Sequence, residues 1–431
     1  MIKNVKKLSN GLKGEIIIPA DKSISHRAVM FSSLAKGNCV IKNFSSGADC
    51  HSTLNLFKQL GIDIEFIDKK TLKIKSEGIL KPNASKISHD NIYLCGNSGT
   101  TMRLVSGILA GQRFDSVLIG DESLSKRPMK RIIEPLSLMG AKIESVDGHA
   151  PLRIYGRKLN GINYFSKLAS AQVKSCVILA GLNAEGKTTF TEPYQSRNHT
   201  ELLLDYLGAD ISVEGNSVTI APSELTAKDI SVAGDISSAA FFIVAGLIVP
   251  NSDFIIKNVG INPTRTGLID VVRRMGGNIE ILNEQIISGE KVGDIKVSYS
   301  ENLKGCIIEG NDIPRLIDEL PVIAVLASQA EGETIVKNAE DLRNKEADRI
   351  KCLTGELSKI GMNIEEREDG FVVFGKQELE GGAELETYHD HRLAMSFYTA
   401  GLICKNEIAI NGFEWTNISF PEFETLMNTL K

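Results

Sequence analysis

The sequence predicts an α/β protein of two similar domains. Each is made of three βαβαββ units with buried parallel helices and sheets outside, an inside-out α/β barrel. Three observations lead there. First, six polar openings recur about every seventy residues, and each runs into an apolar, helix-like segment: DKSISHRA from Asp21, GNSGTTMR from Gly96, ASAQVKS from Ala169, GDISSAAF from Gly234, DELPVIAV from Asp318 and DHRLAMSF from Asp390. Repetition at a fixed period marks stacked supersecondary units. Second, five segments read as a helix that ends at glycine and passes at once into a strand: LGIDIEF (60–66), MGAKIES (139–145), LGADISV (207–213), MGGNIEI (275–281) and IGMNIEE (360–366). Third, the helices after the openings, such as CVILAGL (176–182) and AAFFIVAGLIV (239–249), are apolar nearly all round. Such helices are buried on every side, whereas an amphipathic helix lies on a surface. The alternate helices, NHTELLLDYLGA (198–209) and RTGLIDVVRRMGG (265–277), are amphipathic.

The elements follow in order. Glu15–Ile18 is a strand leading to the first opening. In the second unit Asn97 and Ser98 are good N-cap types, the apolar run Met102, Leu104, Val105, Ile108, Leu109 is helix-long, and Gly111 stops it. Ser116–Gly120 is short and β-branched, hence a strand. MKRIIEPLSLMG (129–140) is a second helix, and AKIESV (141–146) and LRIYG (152–156) are strands. The sixth unit is incomplete: FEWTNISFPEFETLMNTLK (413–431) supplies a last strand and helix, and the strand before Asp21 completes the unit. The expected domains are therefore 21–233 and 1–20 plus 234–431, with crossings near Ala20 and Ala233 and the active site in the cleft between them.

At 431 residues the chain is long for one core, which agrees with two domains. A net charge of −5 argues against a broad basic surface for nucleic acid, so the basic residues that matter are clustered locally. No run of about eighteen apolar residues suggests a membrane span, and the first residues do not read as a secretory signal. The seven cysteines are scattered singly without a CxxC, as in a protein of a reducing compartment, and a cytoplasmic monomer is expected.

The openings carry the chemistry. A helix N-terminus presents free N–H groups and about half a positive charge, so several aimed at one place favour anions. Lys22, Arg27, Arg103, Arg127, Lys174, Arg197, Lys345, Arg349 and Arg392 stand at or near these openings, with the hydroxyls of Ser23, Ser25, Ser170 and Ser196 beside them. This is an inventory for phosphate and carboxylate. Any one of these cations alone reads as a solvated surface charge; Arg103, in an apolar run, reads as a tie within the site. Asp21, Asp235, Asp318 and Asp390 read first as N-caps, and Glu346 between Lys345 and Arg349 reads as part of a helix-surface network. The functional alternative makes Asp318 and Glu346 a general base and a general acid facing an anion-lined site.

Two motifs point elsewhere. Residues 181–188, GLNAEGKT, match the phosphate-loop pattern, but a helix precedes and a strand follows, the reverse of that motif, so a helix-to-strand turn is expected. His389-Asp390-His391 has no third ligand at metal-binding spacing.

Nine stretches together resemble the 5-enolpyruvylshikimate-3-phosphate synthases of the enolpyruvyl transferase family: PADKSISHRA (19–28), GNSGTTMRL (96–104), SKRPMKR (125–131), SAQVKS (170–175), SRNHTE (196–201), GDISSAAF (234–241), IDELPVIAV (317–325), LRNKEADRI (342–350) and DHRLAM (390–395). The resemblance covers essentially the whole chain, and SAQVKS and SRNHTE are similar to the subgroup that includes glyphosate-tolerant bacterial enzymes. It implies transfer of the enolpyruvyl group of phosphoenolpyruvate to the 5-hydroxyl of shikimate 3-phosphate by addition and elimination, with no metal or organic cofactor. It implies that Lys22, Ser23, Arg27, Ser170, Ala171, Gln172, Ser196 and Arg197 bind shikimate 3-phosphate, with Lys22 and Gln172 reaching both substrates. Asn97, Gly99, Arg127, Arg349 and Arg392 would hold phosphoenolpyruvate. Asp318 would take the hydroxyl proton, Glu346 would protonate the methylene carbon, and Lys345 would lie by the ring and the leaving phosphate. Two positions depart from the pattern: Ile418 stands near a lysine of many members, and Asp341 replaces an asparagine of some.

The sister transferase acting on UDP-N-acetylglucosamine is the nearest rival, but its family typically has a reactive cysteine where this chain reads FDSVLIGDESLSKRPM (114–129). A non-catalytic anion-binding module on the same repeat is the rival of another class.

Overall fold

The computed structural model describes residues 1–78 and 91–431. The chain divides into two compact units, one of Ala20–Ala233 with Ile286–Glu290, the other of Met1–Pro19, Gly234–Gln285 and Lys291–Lys431. Each has its own apolar core.

The first unit contains helices α1 (Lys22–Leu34), α2 (Ala48–Gln59), α3 (Gly99–Ala110), α4 (Lys130–Leu138), α5 (Ala171–Gly181) and α6 (His199–Tyr206). The second contains α7 (Ile236–Ile248), α8 (Gly267–Arg274), α9 (Leu320–Ala327), α10 (Arg349–Lys359), α11 (His391–Gly401) and α12 (Phe423–Leu430). The odd-numbered helices are the apolar ones that follow the openings. Every residue of α7 and α9 is buried. Their side chains fill the cores, where each fully buried Leu, Ile or Phe contributes about 1.5–3 kcal/mol. Where α3 meets α5 there is no room for a side chain: a Cβ on Gly107 would sit 2.1 Å from the Cys176 carbonyl oxygen.

Three sheets surround each set of helices. In four of the six, the strand after the buried helix is parallel to the strand before that helix; in the first and fourth the two crossing segments exchange partners, so Ala35–Lys42 is parallel to Leu225–Thr226 and Ile230–Ser231, and Asp253–Gly260 is parallel to Lys13–Ile17. In the second repeat Ile92–Leu94 and Ser116–Ile119 are parallel, and Ser116–Ile119 and His149–Tyr155 are antiparallel. The same pattern holds for Ile307–Ile308, Glu333–Val336 and Gly370–Phe374. The five glycines at the helix-to-strand turns explain the second sequence signal. Gly61, Gly140, Gly208, Gly276 and Gly361 have φ of 87°, 96°, 92°, 80° and 89°, the left-handed conformation that ends a helix and that only glycine adopts without strain.

The N-terminal segment does more than the sequence suggested. Ile2–Val5 pairs antiparallel with Ile408–Asn411 and completes the sixth sheet. The strand expected at Glu15–Ile18 is Lys13–Ile17, and it pairs parallel with Asp253–Gly260 in the fourth sheet instead. The last strand expected within 413–431 does not form. Gly412 at φ 78° turns the chain into a 3-10 segment, Phe413–Ile418, and Ile2–Val5 already holds the free edge of Ile408–Asn411. Residues 181–188 form the helix-to-strand turn expected of them, between α5 and Thr188–Thr191. Among the described residues no helix is long and apolar enough to cross a membrane.

Candidate active site

The openings are built by capping. Asp21 Oδ1 accepts the Ile24 N–H at 2.8 Å, Ser98 Oγ the Thr101 N–H at 3.1 Å, Asp235 Oδ1 the Ser237 N–H at 2.9 Å and Asp390 Oδ1 the Arg392 N–H at 2.8 Å. Each such cap is worth about 0.5–2 kcal/mol. The capping reading therefore holds for Asp21, Asp235 and Asp390. It fails for Asp318: α9 begins at Leu320 with Glu319 in the cap position, and Asp318 turns to two arginines instead.

In the first unit, Lys22 and Ser23 open α1, half-buried, and Lys22 Nζ is ion-paired with Asp49 of α2. Asn97 lies before the α3 cap. Its Oδ1 accepts from Arg127 Nη2 at 2.8 Å, and its Nδ2 donates to Asp121 Oδ2 at 2.8 Å. Gly99 lies under both nearby guanidinium groups: a Cβ there would be 3.1 Å from Arg103 Nη1 and 3.5 Å from Arg127 Nη1. Arg103 Nη1 donates to Gln172 Oε1 at 2.5 Å, and Gln172 Nε2 donates to Thr100 Oγ1 at 3.0 Å, so Arg103 ties α3 to α5. Ser170 and Ala171, half-buried, begin α5.

Arg27 is only 3% exposed. It donates to Thr200 Oγ1 at 2.8 Å, Ser175 Oγ at 2.9 Å and the Ser23 carbonyl at 3.0 Å. Burial pulls its pKa down to about 10, with Glu201 and Asp21 working the other way, so the charge survives at neutral pH. Lys174, counted from sequence among the anion-binding cations, is only 1% exposed and sits 2.8 Å from both Glu192 and Glu201. A buried ammonium is retained only when paired, and this one is committed to two carboxylates. Ser196 is buried with it, donating its N–H and its hydroxyl to Glu192 Oε1 at 2.8 and 3.0 Å, and Arg197 follows, half-buried.

In the second unit the carboxylates gather round Arg349, itself 1% exposed. Its Nε donates to Asp390 Oδ2 at 2.7 Å, its Nη2 to Glu346 Oε2 at 2.5 Å and its Nη1 to Asp318 Oδ1 at 3.4 Å. Burial works against the charge on Arg349, but Asp390, Glu346 and Asp318 outweigh it and raise its pKa beyond the usual guanidinium range. Arg392 Nη1 donates to the Asp318 carbonyl at 3.2 Å, and its Nη2 lies 3.7 Å from Asp318 Oδ2. Lys345 Nζ is 3.2 Å from Asp341 Oδ2. Asp318, Glu346, Arg349 and Arg392 therefore form one cluster of paired acids and guanidinium groups.

A family model described as EPSP synthase (3-phosphoshikimate 1-carboxyvinyltransferase) matches residues 6–427. The chain belongs to the EPSP synthase family. A 3-phosphoshikimate 1-carboxyvinyltransferase of Thermoanaerobacter sp. (strain X514) is 52% identical over 414 residues, 96% of this chain and 96% of the relative. The solved EPSP synthase of Acinetobacter baumannii superposes with a TM-score of 0.89 at 41% identity, over 100% of this chain and 98% of that one. The enolpyruvyl transferase NikO of Streptomyces tendae shares the fold, with a TM-score of 0.78 at 16% identity, over 100% of this chain and 97% of that one. The EPSP synthase match thus favours the resemblance read in the nine stretches over the sister transferase.

Several contacts in this family member's clusters are not legible in the sequence. Asp49 pairs with Lys22, but in the first turn of α2 it reads as an ordinary complement to the helix dipole. Asp390 caps α11 and holds Arg349 as well, a second role that sequence spacing does not encode. Arg265, buried, donates to Asp235 Oδ1 at 3.1 Å and Ser237 Oγ at 2.8 Å at the opening of α7, and no pattern marks it. Ile418 ends the 3-10 segment, half-buried.

Proposed function

We propose that the chain transfers the carboxyvinyl group of phosphoenolpyruvate to the 5-hydroxyl of shikimate 3-phosphate, with release of phosphate. Membership of the EPSP synthase family and relatives named 3-phosphoshikimate 1-carboxyvinyltransferase support the activity. The observation that carries the residue roles is the joint attachment of Asp318 and Glu346 to Arg349. An acid and a base are thereby held on one guanidinium.

The roles follow from the reaction. The methylene carbon of phosphoenolpyruvate takes a proton from Glu346, which leaves C2 electrophilic. The 5-hydroxyl attacks C2 while Asp318 takes its proton. The tetrahedral adduct then loses a proton from its new methyl group to Glu346 and phosphate from C2, giving the enol ether. Glu346 is paired with Arg349 in the resting protein, and a neighbouring cation favours the ionised form of a carboxylate, which has no proton to give. The anionic groups of phosphoenolpyruvate, in competing for Arg349 and Arg392, free Glu346 to carry its proton. Asn97, Gly99 and Arg127 add the second grip on phosphoenolpyruvate. Lys22, Ser23, Ser170, Ala171, Gln172, Ser196, Arg197 and Lys345 receive shikimate 3-phosphate, with Lys22 and Gln172 serving both. Arg27 holds Ser23, Ser175 and Thr200 in place as well as supplying charge. Such fixed cations act by positioning and by stabilising developing charge. The reading requires both residue clusters to act on one pair of substrates, and it takes the protein to be a monomer of the cytoplasm that binds no nucleic acid. The seven free thiols suit a reducing compartment.

The test is phosphate release by the purified chain from phosphoenolpyruvate, with shikimate 3-phosphate or UDP-N-acetylglucosamine as acceptor. Release with the first alone supports the reading. Release with the second would move the chain to the sister activity, and binding without release would make it an anion-binding module.

A further inference from the structure

Two rungs join α1 to α2. One is the ion pair of Lys22 with Asp49; the other, one helical turn further on, is a 2.6 Å bond between His26 Nδ1 and Thr53 Oγ1. A third link reaches α3: Thr53 Oγ1 lies 2.7 Å from Thr101 Oγ1, and Thr101 Oγ1 donates to Ser98 Oγ at 2.7 Å. His26, Thr53, Thr101 and Ser98 are all fully buried.

The directions of these bonds follow by elimination. A threonine hydroxyl has one proton. Thr101 gives its proton to Ser98, so Thr53 gives its own to Thr101. The bond between His26 and Thr53 can then be made only by Nδ1–H. This tautomer leaves Nε2 as a bare acceptor, and Nε2 is buried with no hydrogen-bond partner. Burial, chiefly, pulls the His26 pKa down to about 3, which keeps the ring neutral. A buried polar atom left without a partner is costly, so its retention asks for a reason.

Ser98 supplies one. It lies between Asn97, which accepts from Arg127, and Gly99, over which the Arg103 and Arg127 guanidinium groups lie. Its Oγ also accepts the Thr101 N–H and so sets the first turn of α3. Any tilt of Ser98 moves the residues on both sides.

We propose that His26, Thr53, Thr101 and Ser98 form a one-way positioning relay that fixes the opening of α3, and with it Asn97, Gly99 and Arg127, relative to Lys22. The proposal rests on the carboxyvinyl-transfer reading, because phosphoenolpyruvate is the ligand assigned to that opening. None of the four touches substrate in this account; they act through their neighbours.

The experiment compares Thr53→Val with Thr53→Ser. The valine variant keeps the shape and loses the relay, and its KM for phosphoenolpyruvate rises about five- to tenfold, the scale of one buried hydrogen bond. Its kcat and its KM for shikimate 3-phosphate stay within about twofold, and Thr53→Ser restores the wild-type KM. A fall in melting temperature with no change in KM, or equal KM values for the two variants, would overturn the proposal. The wild-type protein gives an independent readout. The ¹⁵N imidazole resonances of His26, assigned by their loss in His26→Asn, should report the Nδ1–H tautomer over roughly pH 5 to 8. The Nε2–H tautomer would overturn the relay. That spectrum decides the matter even if the wild-type chain fails to turn over its two substrates, an outcome that counts against the function instead.

Discussion

Arg349 Nη2 donates to Glu346 Oε2 at 2.5 Å, so the residue assigned as acid is anchored by the cation assigned to its substrate. Glu346→Gln keeps the size and the link to Arg349 but cannot deliver or remove a proton. Its kcat should fall by about 10²–10⁴, the usual range for a general acid, while KM for both substrates changes little. Steady-state kinetics checks this, and an equal loss in binding and turnover would make Glu346 a binding residue.

Gly99 lies within side-chain reach of two guanidinium groups. The added methyl of Gly99→Ala would meet Arg103 Nη1 at 3.1 Å, a tight contact, and Arg127 Nη1 at 3.5 Å, an ordinary one. Arg103 must give by a few tenths of an ångström, and the methyl group narrows the opening assigned to phosphoenolpyruvate. KM for phosphoenolpyruvate should rise severalfold with KM for shikimate 3-phosphate unchanged, which initial-rate measurements on each substrate would reveal.

Lys174 is the buried partner of Glu192 and Glu201. Lys174→Met leaves two buried carboxylates without their cation, and breaking a buried pair in this way costs about 3–5 kcal/mol. Urea unfolding should show that loss. Because Glu192 also holds the N–H and hydroxyl of Ser196, KM for shikimate 3-phosphate should rise as well.

His26 gives an acid-sensitive contribution whose sign is fixed. Its pKa is about 6.5 when unfolded and about 3 when folded, so between these values the unfolded chain binds the extra proton. The contribution is fully present above about pH 6.5 and is lost as pH falls toward 3, at up to about 1.4 kcal/mol per pH unit. Melting temperatures of wild type and His26→Asn, compared from neutral pH downward, should show the steeper loss in wild type. Parallel curves would mean that His26 is not neutral in the folded protein.

The repeat was legible in the sequence because its signals are local. An N-cap such as Asp21 or Ser98, an apolar run, and a glycine that must adopt positive φ, such as Gly140 or Gly276, each act within a few residues. The pairing of Ile2–Val5 with Ile408–Asn411 was not read, since nothing near either strand names a partner some four hundred residues away. The same division runs through the site. Which cations stand at helix openings is written in the chain, but which of them are already engaged is not. Lys174 and Arg127 look equivalent in sequence; one is sealed between two glutamates, while the other reaches the opening of α3 through Asn97. Asp318 and Asp390 also look alike at their openings, yet one faces two arginines and the other caps a helix while holding one of them.

The most direct test of the account is the deuterium content of the product made in D₂O. Protonation of the methylene carbon forms a methyl group, and elimination removes one of its three hydrogens. The enol ether formed from shikimate 3-phosphate and unlabelled phosphoenolpyruvate should therefore carry deuterium in its vinyl methylene by mass spectrometry. Product formed at the normal rate without deuterium would contradict addition and elimination through Glu346 and Asp318.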